Sequence, residues 1–118
     1  NTIQSSSGSP YGGAIGATDS VLYISSSNLI NNRSLKSDST SRSAGGGAIY
    51  IGKGTNATIN STNFIGNRAV YTGSTISSSS GGAIKALDDS PLSISGSYFM
   101  VNLTTVRAVQ SPVKREKL

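Results

Sequence analysis

The tetrapeptide Gly-Gly-Ala-Ile occurs three times, at 12–15, 46–49 and 81–84, with starts 34 and 35 residues apart. A second mark follows each copy at a nearly fixed distance: Leu29-Ile30-Asn31-Asn32, Phe64-Ile65-Gly66-Asn67 and Phe99-Met100-Val101-Asn102. Its pattern is Leu/Phe-x-x-Asn. Two marks recurring in phase at this period constrain the fold more than any local propensity, because they require a repeated structural unit.

The repeat changes how the composition is read. Ser, Thr, Asn and Gly make up 57 of the 118 residues, and only 35% are hydrophobic. A chain this polar ordinarily lacks the apolar surface to offset the entropy of ordering. Here the few apolar residues recur at matching positions, and a solenoid coil needs little apolar material because it buries its interior against its neighbours. The chain reads as one domain over 1–118, with 1–11 as the end of a preceding coil. Coil one follows at 12–45, coil two at 46–80, and coil three with a C-terminal segment at 81–118.

Alternation places strands within each coil. After the second Gly-Gly, Ile49 and Ile51 fall on one face, and Ala48 and Tyr50 on the other. The Ile49 position is Ile in every copy (Ile15, Ile49, Ile84), which points inward. The Tyr50 position is Gly16 and Lys85 elsewhere, which points to solvent. In a second strand, Ala57 and Ile59 face inward, while Asn56, Thr58 and Asn60 face out. Ile24, Ile59 and Ile94 then form one internal column, and Leu29, Phe64 and Phe99 another. Coil one reads as two residues shorter than the others just after its Gly-Gly-Ala-Ile. The Ser-rich stretches that close the coils, 34–44 and 69–80, read as loops or an irregular third side. Thr2-Ile3 before a Ser run mirrors Thr75-Ile76. The glycines suit corners, where positive φ or close backbone approach is required. Parallel rungs about 4.8 Å apart would stack Asn32, Asn67 and Asn102 into an amide ladder bonding one coil to the next.

Gly-Gly-Ala-Ile with Phe-x-x-Asn resembles the repeat of the chlamydial polymorphic outer membrane proteins, over about 12–103. Coil one departs from it by having Leu29 in place of Phe. The resemblance implies an all-β fold, a right-handed parallel β-helix (β-solenoid) of about three coils. In that family the repeats form surface-exposed autotransporter passengers that act as adhesins, which implies an extracellular or cell-surface location.

With no Cys and no His, disulfides, thiol chemistry, imidazole catalysis and the usual zinc sites are excluded. No cofactor or metal is expected. The net charge of +5 includes Lys114, Arg115 and Lys117 near the C-terminus, and a mild basic excess mainly favours solubility. No apolar run approaches transmembrane length, so membrane insertion is not expected. Among the acids, Asp88 and Asp89 are adjacent. Asp19 and Asp89 align two coils apart with Gly54 between them, roughly 9.6 Å by two strand spacings. That is the wide limit for an inverting glycosidase pair, in a turn where Asp is commonplace. The chain is therefore read as non-enzymatic. Arg33 and Arg68 align in neighbouring coils, with Leu103 in the third, and are candidates to contact an anionic glycan or phosphate. No aromatic platform accompanies them, so nucleic acid is not expected as a partner.

Four sequons begin at Asn32, Asn56, Asn60 and Asn102, against roughly two or three expected from composition alone. Asn32 and Asn102 belong to the internal ladder, whereas Asn56 and Asn60 lie on an outward face and are the candidate N-glycosylation sites. The Ser/Thr-rich stretches 34–43 and 72–80 are candidates for O-glycosylation. Three coils rise only about 14 Å, and both end coils expose unpaired N–H and C=O groups unless covered. The C-terminal segment bearing Val106, Val109 and Val113 would lie across the last coil or start another. Head-to-tail stacking would cover the ends and build a filament or surface appendage. An adhesin-like fragment of a longer solenoid is the alternative.

Overall fold

Parallel pairing ties each repeat to the next in the computed structural model, which describes residues 2–5, 11–36, 44–72 and 79–106. A first strand, β1 (Thr2–Ser5), precedes coil one. Coil one contains β2 (Ile15–Ala17), β3 (Val21–Ser25), β4 (Asn28–Ile30), β5 (Arg33–Lys36) and, closing it, β6 (Ala44–Gly45). Coil two contains β7 (Ile49–Ile51), β8 (Asn56–Asn60), β9 (Asn63–Ile65), β10 (Arg68–Tyr71) and, closing it, β11 (Ser79–Ser80). Coil three contains β12 (Ile84–Ala86), β13 (Leu92–Ser95), β14 (Tyr98–Met100) and β15 (Leu103–Val106). The sheets run β12-β7-β2, β13-β8-β3, β14-β9-β4, β1-β5-β10-β15 and β11-β6. Each sheet collects one strand from each successive coil, so the architecture is a three-coil parallel β-helix.

The registers carry the internal columns. Ile15 pairs with Ile49 and Ile49 with Ile84. Ile24, Ile59 and Ile94 align, as do Leu29, Phe64 and Phe99. Coil two, sandwiched between the others, holds the driest part of the core: Ile49, Ile51, Ala57, Ile59 and Phe64 have no exposed surface. The Phe64 and Phe99 rings stack 4.6 Å apart and 6° from parallel. At the corners, Gly12, Gly46 and Gly81 adopt φ of 74°, 66° and 67°, a region that other residues enter at a cost. The second glycine serves a different purpose. A Cβ on Gly47 would lie 2.5 Å from the Arg68 backbone nitrogen and closer still to the Gly82 carbonyl oxygen.

Four details differ from the sequence expectation. First, Ala48 does not face solvent. It is fully buried and belongs to the core cluster, as does Ala83. The N–H groups of Ala48 and Ile49 both donate to the Ala83 carbonyl, at 2.8 and 3.0 Å, so the chain is still turning the corner and strand alternation begins only at Ile49. Second, coil one is shorter by one residue, not two. Ala17 pairs with Ile51 but Val21 with Asn56, and the difference falls in the turn 18–20 against 52–55.

Third, the Ser-rich side opens with real strands, and β5, β10 and β15 with β1 make the widest sheet. The inward face is mixed: Ser34 and Ala69 are fully buried, and so is the long side chain of Lys36 at the end of β5, and the Ser34 hydroxyl donates to the Gly45 carbonyl at 3.3 Å. Fourth, Thr2 and Ile3 pair with Arg33 and Ser34, and so correspond to Arg68-Ala69, not to Thr75-Ile76. Residues 75–76, the remainder of the Ser-rich stretches at 37–43 and 73–78, and the C-terminal stretch 107–118 with Val109 and Val113 lie outside the described residues.

Candidate functional site

The Asn column is the most connected polar element of the interior. The Asn67 side-chain oxygen accepts from the Asn32 backbone N–H and from Asn32 Nδ2, both at 3.0 Å. Asn67 Nδ2 donates to the Leu29 carbonyl and to Asn102 Oδ1, both at 2.8 Å. Asn102 repeats the pattern, with its oxygen accepting from the Asn67 N–H at 3.0 Å and its Nδ2 donating to the Phe64 carbonyl at 2.8 Å. Both donors and both acceptor positions of Asn67 are used. These amides hold the coils together and are closed to other chemistry.

That separates the four sequons. Asn32 is buried and Asn102 is half-buried with its Nδ2 engaged. Asn56 is exposed at the start of β8. Asn60 is half-buried: its Nδ2 donates to the Tyr23 hydroxyl at 3.3 Å and its Oδ1 accepts from Ser95 Oγ at 2.7 Å. Of the two outward asparagines, Asn56 is the freer. The acids lie elsewhere. Asp19, Asp88 and Asp89 are all exposed, on the turns between the first and second strands of their coils. Among the described residues no group of three acids gathers in a way that could hold a metal ion.

Two surface features had only partial warning in the sequence. Arg33 and Arg68 are paired in register on β5 and β10 and line a groove of about 400 Å³ with Asn31, Gly66, Val101 and Leu103. The alignment was legible; the groove was not. Elsewhere on the coil, Tyr11 and Tyr50 stack 4.2 Å apart and 9° from parallel, with Lys85 Nζ 5.6 Å from the Tyr11 ring centroid. Tyr11 is level with Gly45, and Tyr50 with Gly16. The rings therefore meet diagonally across two glycines, and no column of like residues announces them. Burial pushes the Tyr50 phenol above its usual range, and neighbouring Tyr11 adds to the rise.

The core is open at the end of coil three. Leu92, Ile94 and Phe99 occupy inward columns, yet are 36%, 40% and 44% exposed. They line an apolar depression of about 540 Å³ with Ala83, Ile84 and Val101. Ile59 and Phe64, one rung below in the same columns, are wholly buried. The face of coil one is also hollowed, around Ile15, Ile24 and Leu29. Among the described residues no helix is long and apolar enough to cross a membrane.

No protein-family model matches the chain, and no curated protein or solved structure matches it.

Proposed function

We propose that this chain is a non-enzymatic, extracellular structural β-solenoid subunit that stacks end to end into a filament or surface appendage. The open interior of coil three carries this reading. Its columns continue in register from coil two, and a further coil of the same repeat is the shape that covers them. Coil one of a second copy supplies such a coil, with Ile24 and Leu29 in the matching columns. Covering Leu92, Ile94 and Phe99 would recover on the order of 1 kcal/mol each. Unpaired backbone groups of the edge strands β12, β13 and β14 would gain partners at the same time. The contact joins unlike faces, so it propagates instead of closing.

Sedimentation velocity across a wide concentration range, with electron microscopy of the same samples, tests the proposal. Linear species growing with concentration are expected, and Phe99→Asp should keep the chain monomeric without unfolding it. A wild-type chain that stays monomeric throughout would overturn it. A second reading, an adhesin-like fragment of a longer solenoid, draws on β1, which lies on coil one where a strand of another coil belongs. It predicts a parent reading frame in which Gly-Gly-Ala-Ile continues on both sides.

A further inference from the structure

The corner that follows the third strand of each coil differs from the rest of the outer surface in charge and in shape. Asn31, Gly66 and Val101 occupy it in the three coils, all with positive φ (57°, 67° and 55°). Gly66 has no side chain, and the Asn31 carboxamide oxygen lies against it in the space a Cβ would take. Arg33 and Arg68 stand beside this corner, paired in register on adjacent strands, about 4.8 Å apart at the backbone. Both are exposed, and among the described residues no hydrogen bond or ion pair holds either guanidinium. The corner N–H groups are already used: Asn31 N–H donates to the Ile65 carbonyl at 2.8 Å, and Gly66 N–H to the Met100 carbonyl at 3.0 Å. The charged donors beside the groove are the two guanidinium forks, since Asn31 turns its carboxamide oxygen onto Gly66.

Placing two like charges on neighbouring rungs with no counter-charge is unfavourable. The described acids, Asp19, Asp88 and Asp89, are on turns elsewhere around the coil. A planar guanidinium presents paired donors matched to an oxyanion, and two of them one strand apart can grip one tetrahedral group from both sides. The cationic track is only two residues long, because coil three has Leu103 at this position. A nucleic acid would need a longer run of phosphate contacts and aromatic faces for its bases, and no aromatic residue lines this groove.

We infer that Arg33 and Arg68, side by side along the groove at this corner, form a binding site for a single sulfate ester on a glycan chain. The site stands on an outer face and does not depend on end-to-end stacking.

The test measures binding of a heparin tetrasaccharide to the full chain at fixed salt, by calorimetry. The variants are an Arg33→Gln/Arg68→Gln double substitution and a Lys53→Gln/Lys85→Gln double substitution carrying the same change in net charge. The arginine pair should lose about tenfold or more in affinity, and the lysine pair less than about threefold, since its charges act only at a distance. Circular dichroism should show both variants folded, as Arg33, Arg68 and Lys53 are exposed and Lys85 is only half-buried. Equal losses in the two doubles would overturn the site in favour of diffuse charge attraction. Undiminished binding of the desulfated tetrasaccharide, or equal binding of a single-stranded DNA oligonucleotide, would overturn the assignment to a sulfate ester. Inorganic sulfate binding as tightly as the tetrasaccharide would also overturn it, by reducing the pair to a free-anion site.

Discussion

Asn67 accepts two hydrogen bonds from a single residue, Asn32, through the same oxygen, one from the backbone N–H and one from Nδ2, each at 3.0 Å. Its own amide nitrogen meanwhile donates to the Leu29 carbonyl and to Asn102. Removing the side chain leaves partners in two coils unsatisfied in a buried setting. Asn67→Ala should lower the unfolding free energy by about 2–4 kcal/mol, measured by urea denaturation. Asn67→Asp should also destabilise, because a carboxylate cannot donate to the Leu29 carbonyl.

Thr55 offers the opposite case. It is fully buried just before β8, and its hydroxyl has no hydrogen-bond partner among the described residues. Thr55→Val keeps the branched shape and removes the unsatisfied oxygen. A gain of about 1 kcal/mol is expected in the same denaturation assay, with activity-independent spectra unchanged.

The two kinds of glycine give a paired prediction. Gly47→Ala forces a methyl group against the Gly82 carbonyl and the Arg68 backbone, neither of which can move without shifting a rung. It should cost about 3 kcal/mol or more or prevent folding. Gly16→Ala meets only the Tyr11 carbonyl oxygen, at 3.7 Å, on an exposed strand position. It should be neutral or stabilising by about 0.5 kcal/mol. Thermal melts of the two variants side by side check the contrast.

These contrasts show where the sequence speaks and where it is silent. The three internal columns and the Asn ladder were legible because each recurs with the same or a similar residue, and every one of those registers is found. The strand that opens the Ser-rich side was not. Its residues change from Arg33-Ser34-Leu35-Lys36 to Arg68-Ala69-Val70-Tyr71, so only the first residue repeats and no alternation marks the strand; its regularity comes from pairing with neighbours, which a single stretch cannot display. Ala48 was misassigned because period-two alternation presumes an extended chain, and the chain is still in a corner there. The Arg33–Arg68 alignment was visible in the repeat, but the groove depends on how the backbone turns at Asn31, Gly66 and Val101, all at positive φ.

Tyr50 makes stability depend on pH at the alkaline end. Its phenol is raised above the ordinary 10.0, chiefly by burial and then by Tyr11. The folded state therefore holds this proton more tightly than the unfolded state. Its contribution is fully present below pH 10 and is lost as pH rises through the higher folded value. Unfolding free energy measured from pH 9 to 11.5 should fall more steeply in the wild type than in Tyr50→Phe. Identical slopes in the two proteins would contradict this.

The parallel registers also set how the molecule bears load. The hydrogen bonds between coils point along the solenoid axis, while the covalent chain runs around it. Tension around a coil is carried by peptide bonds and meets a stiff ring. Tension along the axis falls on the hydrogen bonds between one coil and the next, and several sheets share it simultaneously at each junction. Such a body is mechanically anisotropic: it resists flattening and widening far more than it resists the parting of two coils, and when it fails it fails as a whole junction, not bond by bond.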